Sequence, residues 1–158
     1  MITSGDAAPP IDLVNQCNEA VSLADHGGHR VLVYFYPKAD TPGCTQQACA
    51  LRDVAGQVGD TVIVGISPDK PAALRRFDEK HSLGFTLLSD PDHVVAQAYD
   101  VWKLKSMYGR DYFGVERSAF LVGPSGLIEQ AWYKVKPKDT AVRLLDALAA
   151  EPRAGGQR

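Results

Sequence analysis

Cys44 and Cys49 lie five residues apart, and Cys44 directly follows Thr41-Pro42-Gly43. That order suits a helix start, with Thr41 at the N-cap and Pro42 at the first helical position. A thiol there faces backbone N–H groups without helical partners and the positive end of the helix dipole, which together favour thiolate. Bringing an ordinary thiol from a pKa of ~8.5 to ~6, where most of it is ionised at pH 7, takes about 3.4 kcal/mol. A helix terminus supplies at best ~2 kcal/mol. A fixed cation is therefore expected beside the sulfur, and Arg117 and Arg52 are the candidates. Arg117 is preferred, because Arg52 at i+8 from Cys44 stands about 12 Å further along the helix axis.

Ionisation alone speeds attack only about thirtyfold, and nucleophilicity falls as pKa falls. A large rate needs donors that stabilise charge moving onto a leaving atom. Thr41 Oγ, the N–H groups of Gly43 and Cys44, and Arg117 can form such a pocket, with Tyr36 at its wall. A peroxide bound there would have its O–O bond polarised as the thiolate attacks. The product is a sulfenic acid on Cys44, which condenses with a second thiol to a disulfide. Cys49 is the natural second thiol, yet on an intact helix residues i and i+5 have Cα atoms roughly 8.6 Å apart, on faces separated by roughly 140°. A disulfide requires Cα atoms within about 7 Å. Bonding between the two sulfurs therefore demands that the first turns of the helix unwind in each cycle.

The elements that must position these residues follow from hydrophobic patterning. Arg30 to Tyr36 is apolar at successive positions, as in a strand covered on both faces. The helix after Thr41 is expected to reach about Ala55, with an inward stripe of Cys44, Ala48, Leu51 and Ala55 that excludes Cys49. Before it, Ile11 to Leu13 and Ala20 to Leu23 read as a hairpin around Asn15-Gln16-Cys17-Asn18. After it come strands at Thr61 to Ile66 and Phe85 to Leu88, with helices at Ala72 to His81 and His93 to Tyr99. Ser118 to Val122 and Leu127 to Tyr133 flank Gly123-Pro124-Ser125-Gly126 as a second hairpin, and Thr140 to Ala149 is an amphipathic helix. The segment carrying Trp102, Tyr108, Tyr112 and Phe113 reads as an irregular connection that either packs or walls the pocket. The alternation implies an α/β sandwich with a partly parallel sheet, and the closing ββα suits a thioredoxin-like fold with an N-terminal hairpin extension and helices on both faces of a mixed sheet. Cys44 falls at the carboxyl end of a strand, where such sheets bind ligands.

Length and charge exclude several functions. With 158 residues and a formal net charge of −2, the chain reads as one domain over residues 1–150 and a loose tail over 151–158. Lys and Arg are dispersed, so no nucleic-acid footprint is present. No apolar run approaches the ~18 residues of a membrane span, and the first ten residues lack signal-peptide character. A cytoplasmic location is expected, where a disulfide is more often transient than structural. His26, His29, His81 and His93 show no ligand spacing, and neither metal nor cofactor is expected.

The stretch Pro37-x-x-x-Thr41-x-x-Cys44 resembles the active-site motif of peroxiredoxins, and Thr41-Pro-Gly-Cys-Thr-x-x-x-Cys49 resembles the bacterioferritin comigratory protein (peroxiredoxin Q) subfamily. Gly5-Asp-x-Ala-Pro9, Gly65-Ile-Ser-Pro-Asp69, Leu87-Leu-Ser-Asp-Pro91, Tyr108-Gly109 and Glu116-Arg117-Ser118 extend the match. The resemblance implies that Cys44 is the peroxidatic cysteine, Thr41 and Arg117 complete its pocket, Pro37 shields it, Cys49 resolves it, and thioredoxin is the reductant of an enzyme that is often monomeric. Three positions depart from the pattern. Ala119 stands where Thr is common, Thr140 replaces a His often seen near the last helix, and the first hairpin turn leaves Cys17 without a family role.

Other readings stay open at this point. The enzyme could use one cysteine, with Cys49 a bystander. A disulfide oxidoreductase would favour Cys-x-x-Cys, whose sulfurs bridge without unwinding. A copper metallochaperone would need a closer cysteine pair and a distal His.

Overall fold

Five consecutive buried residues, Val31–Phe35, form β3, an interior strand of the sheet. Leu32 and Tyr34 point into one core, while Val31, Val33 and Phe35 point into another, so the strand is covered on both faces as its continuous apolar run predicts. The computed structural model describes residues 1–150. The expected tail, 151–158, lies outside the described residues.

Seven strands form one mixed sheet in the order β2 (Ala20–Ser22), β1 (Asp12–Asn15), β5 (Thr86–Ser89), β4 (Val62–Ser67), β3, β8 (Ser118–Val122), β9 (Ile128–Trp132). β3, β4 and β5 run parallel, and every other pairing is antiparallel. The N-terminal hairpin joins the sheet through β1 and β5, with Val14 opposite Ser89. Its turn is held by Asn15, whose Oδ1 accepts from the backbone N–H groups of Cys17 and Glu19, and by Asn18 in the left-handed region at φ 61°.

Helices cover both faces. α1 (Pro42–Val54), α2 (Pro71–His81) and α4 (Thr140–Ala150) contribute Cys44, Ala48, Leu51, Leu74, Phe77, Ala141 and Leu144 to the core that contains Tyr34. α3 (Val94–Ala98) places Val95 and Ala96 against the opposite core with Val33 and Phe35. None of the described helices is long and apolar enough to cross a membrane.

Two local expectations are corrected. α1 stops at Val54 and Ala55 opens a 3-10 turn, so Ala55 is exposed and the inward stripe ends at Leu51. The segment before Arg117 is a regular two-stranded ribbon, β6 (Trp102–Met107) paired with β7 (Arg110–Val115) in register Trp102 to Val115. It turns at Tyr108-Gly109, both at positive φ. Tyr108 is 96% exposed and walls nothing, whereas Trp102 stacks on His93 with ring centroids 3.6 Å apart. The ribbon escaped the sequence reading because its long exposed stretch lacks the burial that produces a clear apolar pattern.

Candidate active site

The chain leaves β3 through Tyr36-Pro37 and reaches α1 by Lys38-Ala39-Asp40-Thr41, a loop pinned from two directions. Ala39 N donates to Asp69 Oδ2 at 2.7 Å. Asp69, from the segment after β4, is held in turn by Ser67 Oγ at 2.7 Å. Asp40 lies 3.1 Å from Lys80 Nζ and 3.3 Å from His81 Nε2, both at the end of α2. Those hydrogen bonds, from Lys80 first and then His81, hold the Asp40 carboxyl below the usual carboxylate range. Asp40 itself sits at φ 62°, a left-handed conformation that Asp tolerates better than most residues.

Thr41 occupies the N-cap position with extended backbone, φ −96° and ψ 158°, but its side chain does not cap the helix. Its Oγ1 donates to Lys38 O at 2.8 Å. The single hydroxyl proton is thus committed to the loop, and the lone pairs remain available. Where the sequence suggests Thr41 as a donor to a leaving atom, the structure makes it an acceptor. The first intrahelical bond at this end runs from Thr45 N to Thr41 O at 2.8 Å, so the N–H groups of Gly43 and Cys44 precede the helical ladder.

Cys44 is 1% exposed, on the buried face of α1 with Gln47, Ala48 and Leu51. Arg117, which immediately precedes β8, donates from Nη2 to Cys44 Sγ at 3.5 Å and from Nη1 to Gln47 Oε1 at 2.7 Å. One guanidinium therefore bridges the thiol and the amide one helical turn away. Gly43 makes room for it, since a Cβ there would stand 3.3 Å from Arg117 Nη2 and 3.4 Å from Pro137 Cγ. Lys105, on β6, donates to Val115 O and brings a second cation near the guanidinium. Burial pulls its amine below the ordinary lysine range, and the charge of Arg117 adds to the effect.

Arg52 is engaged elsewhere, with Nη1 2.7 Å from His81 O and Nε 2.9 Å from Asp53 Oδ1. Tyr36 lies under the site in the same core as Cys44, its ring stacked on Tyr34 at 5.4 Å. Burial pushes both phenols far above their ordinary range. Pro37 is half-buried at the head of the loop. Cys49 is half-buried at the margin of the core, and it, Cys44 and the exposed Cys17 are all free thiols.

Gln47 was missed in the sequence. Its signal was there: a polar residue at i+3 from Cys44 falls on the inward face, and a buried polar side chain implies a partner.

The assembled geometry is a thiol and a guanidinium at a helix start beside the carboxyl end of a parallel strand. Residues 4–131 match the model of the AhpC/TSA family. The chain belongs to that family. Peroxiredoxin Bcp of Escherichia coli K12 is 50% identical over 133 residues, covering 83% of this chain and 85% of the relative. Peroxiredoxin Bcp of Bacillus subtilis is 44% identical over 149 residues, covering 93% and 95%. Among solved structures, a cysteine-to-serine mutant of PrxQ from Xylella fastidiosa superposes with a TM-score of 0.89 at 31% identity, covering 95% of this chain and 97% of that one. The bacterioferritin comigratory protein of Xanthomonas campestris, studied for alkyl peroxide reduction, gives 0.84 at 37% identity, covering 89% and 90%. This peroxiredoxin is therefore a thiol-dependent peroxidase on a thioredoxin-like fold.

Proposed function

We propose that residues 1–150 act as a single domain in which Cys44 is the peroxidatic cysteine and Cys49 the resolving one. The observation that carries this reading is the Arg117 guanidinium 3.5 Å from Cys44 Sγ at the start of α1. At about 4 Å and an effective dielectric of ~20, unit charges attract by about 4 kcal/mol, more than the ~2 kcal/mol a helix terminus offers at best. Both bear on the same sulfur.

A hydroperoxide entering beside Thr41 would give its O–H proton to the free lone pair of Thr41 Oγ1 as a hydrogen bond. Arg117 and the N–H groups of Gly43 and Cys44 would face the two oxygens. Cys44 thiolate attacks the nearer oxygen, the S–O bond forms, the O–O bond breaks, and the departing alkoxide or hydroxide takes a proton from water. Cys44 becomes a sulfenic acid. Cys49 then attacks that sulfur, forming the disulfide and releasing water, and a dithiol reductant restores both thiols. Thioredoxin is the reductant proposed, with hydrogen peroxide and organic hydroperoxides as substrates, in a monomer of the cytoplasm. The X. campestris relative, studied for alkyl peroxide reduction, supports the organic hydroperoxides.

The test is peroxide consumption driven by dithiothreitol and then by thioredoxin, for wild type, Cys44→Ser and Cys49→Ser. Loss of Cys44 should abolish both activities. Loss of Cys49 should abolish the thioredoxin-driven turnover and spare that with dithiothreitol, which can reach the sulfenic acid directly. Turnover surviving Cys44→Ser would refute the assignment, and thioredoxin-driven turnover surviving Cys49→Ser would make this a one-cysteine enzyme.

A further inference from the structure

Thr140 opens α4 and is fully buried, as is Gln47. Gln47 Nε2 donates to Thr140 Oγ1 at 2.8 Å. Thr140 Oγ1 spends its own proton on Lys136 O at 3.3 Å, one turn back. A hydroxyl has one proton, so this arrangement leaves Thr140 only as an acceptor toward Gln47. The Gln47 amide is a rigid plane. With Nε2 turned to Thr140, its Oε1 is turned to Arg117 Nη1 at 2.7 Å, and the same guanidinium presents Nη2 to Cys44 Sγ. Inverting the amide would set its NH₂ against the guanidinium, donor facing donor.

We propose that Thr140 is a positioning residue for the peroxidatic step: it fixes the orientation of the Gln47 amide, which in turn holds Arg117 against the Cys44 sulfur. The relay joins residues 93 apart, across the α1–α4 contact, into one buried line ending at the thiol. None of its members is replaceable by an apolar residue without leaving a buried polar group unpaired. Thr140 never touches the sulfur, so its effect must pass through Gln47. The inference rests on Cys44 being the site of attack and adds what aims the cation at it.

The test compares Thr140→Val, Thr140→Ser, Gln47→Ala and the double variant Gln47→Ala/Thr140→Val. Thr140→Val should lower kcat/KM for peroxide about two- to tenfold, the range one net hydrogen bond spans. The rate at saturating peroxide, set by later steps, should hold. Thr140→Ser, which keeps the hydroxyl, should match wild type. Adding Thr140→Val to Gln47→Ala should cost nothing more, since the connection is already cut. Should the valine variant fail to fold, Thr140→Ala replaces it in the comparison with serine. Wild-type kcat/KM in the valine variant, equal impairment in the serine variant, or losses that multiply in the double variant would each overturn the proposal. Alkylation of Cys44 by iodoacetamide supplies an arm without peroxide, expected to slow in Thr140→Val and not in Thr140→Ser. Peroxide turnover that survives Cys44→Ser would remove the assignment of Cys44 as the peroxidatic cysteine while leaving this alkylation comparison to decide the role of Thr140.

Discussion

Arg117 Nη2 meets Cys44 Sγ at 3.5 Å although the two residues are 73 apart in the chain. The same guanidinium bonds Gln47, so its two Nη atoms serve two partners fixed on one helix. A lysine ammonium is a point charge without that fork. Arg117→Lys should keep the positive charge and lose the geometry. The second-order rate constant for Cys44 oxidation should fall about 10- to 100-fold, as expected for losing one charge-assisted hydrogen bond. Stopped-flow fluorescence of the first oxidation measures it, and a loss below threefold would contradict the bridging role.

Gly43 separates stability from activity. Alanine at this helical position should favour the helix by roughly 0.5–1 kcal/mol. Its Cβ would also press on Arg117 Nη2 at 3.3 Å and Pro137 Cγ at 3.4 Å. Displacing the guanidinium from its rotamer costs about 0.5–1.5 kcal/mol, or roughly two- to tenfold in rate. The helix gain and the strain are of similar size, so Gly43→Ala should leave the thermal midpoint near that of wild type while reducing peroxide more slowly.

Oxidation should melt the start of α1. Cys44 and Cys49 both sit within Pro42–Val54, where an intact helix keeps their Cα atoms too far apart to bridge. Hydrogen exchange in the disulfide form should lose protection over residues 42–51 and keep it in α2 and α4. Arg52, tied to His81 O at 2.7 Å, anchors the downstream end and should mark the limit of unwinding. Equal protection in both redox forms would show that the disulfide forms by some other movement.

Asp40 supplies a pH test. Its folded-state carboxyl is held below the usual range, so the loop anchor it forms with Lys80 and His81 contributes above the unfolded value, ~3.9, and is lost as pH falls through the lower folded value. The thermal midpoint of Asp40→Asn should lie below that of wild type at pH 6, and the gap should close toward pH ~2. A gap that persists unchanged in acid would place the effect in the left-handed backbone at φ 62° rather than in the charge.

The strands and most helices were legible because their signals are local. The continuous apolar run of Val31–Phe35 and the Thr-Pro-Gly start of α1 each act over a few residues, and the fold followed from their order. The β6–β7 ribbon was not legible, since residues such as Leu104 and Phe113, 60% and 59% exposed, follow no core-facing pattern.

Sequence by itself determined that a thiol would stand at a helix start after a buried strand, that a second thiol lay out of reach on the same helix, and that a distant arginine was the better cation. Those conclusions need only residue types and helical spacing. The tertiary structure decided which way the hydroxyl of Thr41 points, and it joined Arg117 to Gln47 and Gln47 to Thr140. Hydrogen-bond direction and long-range pairing depend on where separate elements pack. A residue such as Thr140, bland in sequence, acquires its meaning only when α4 closes against α1.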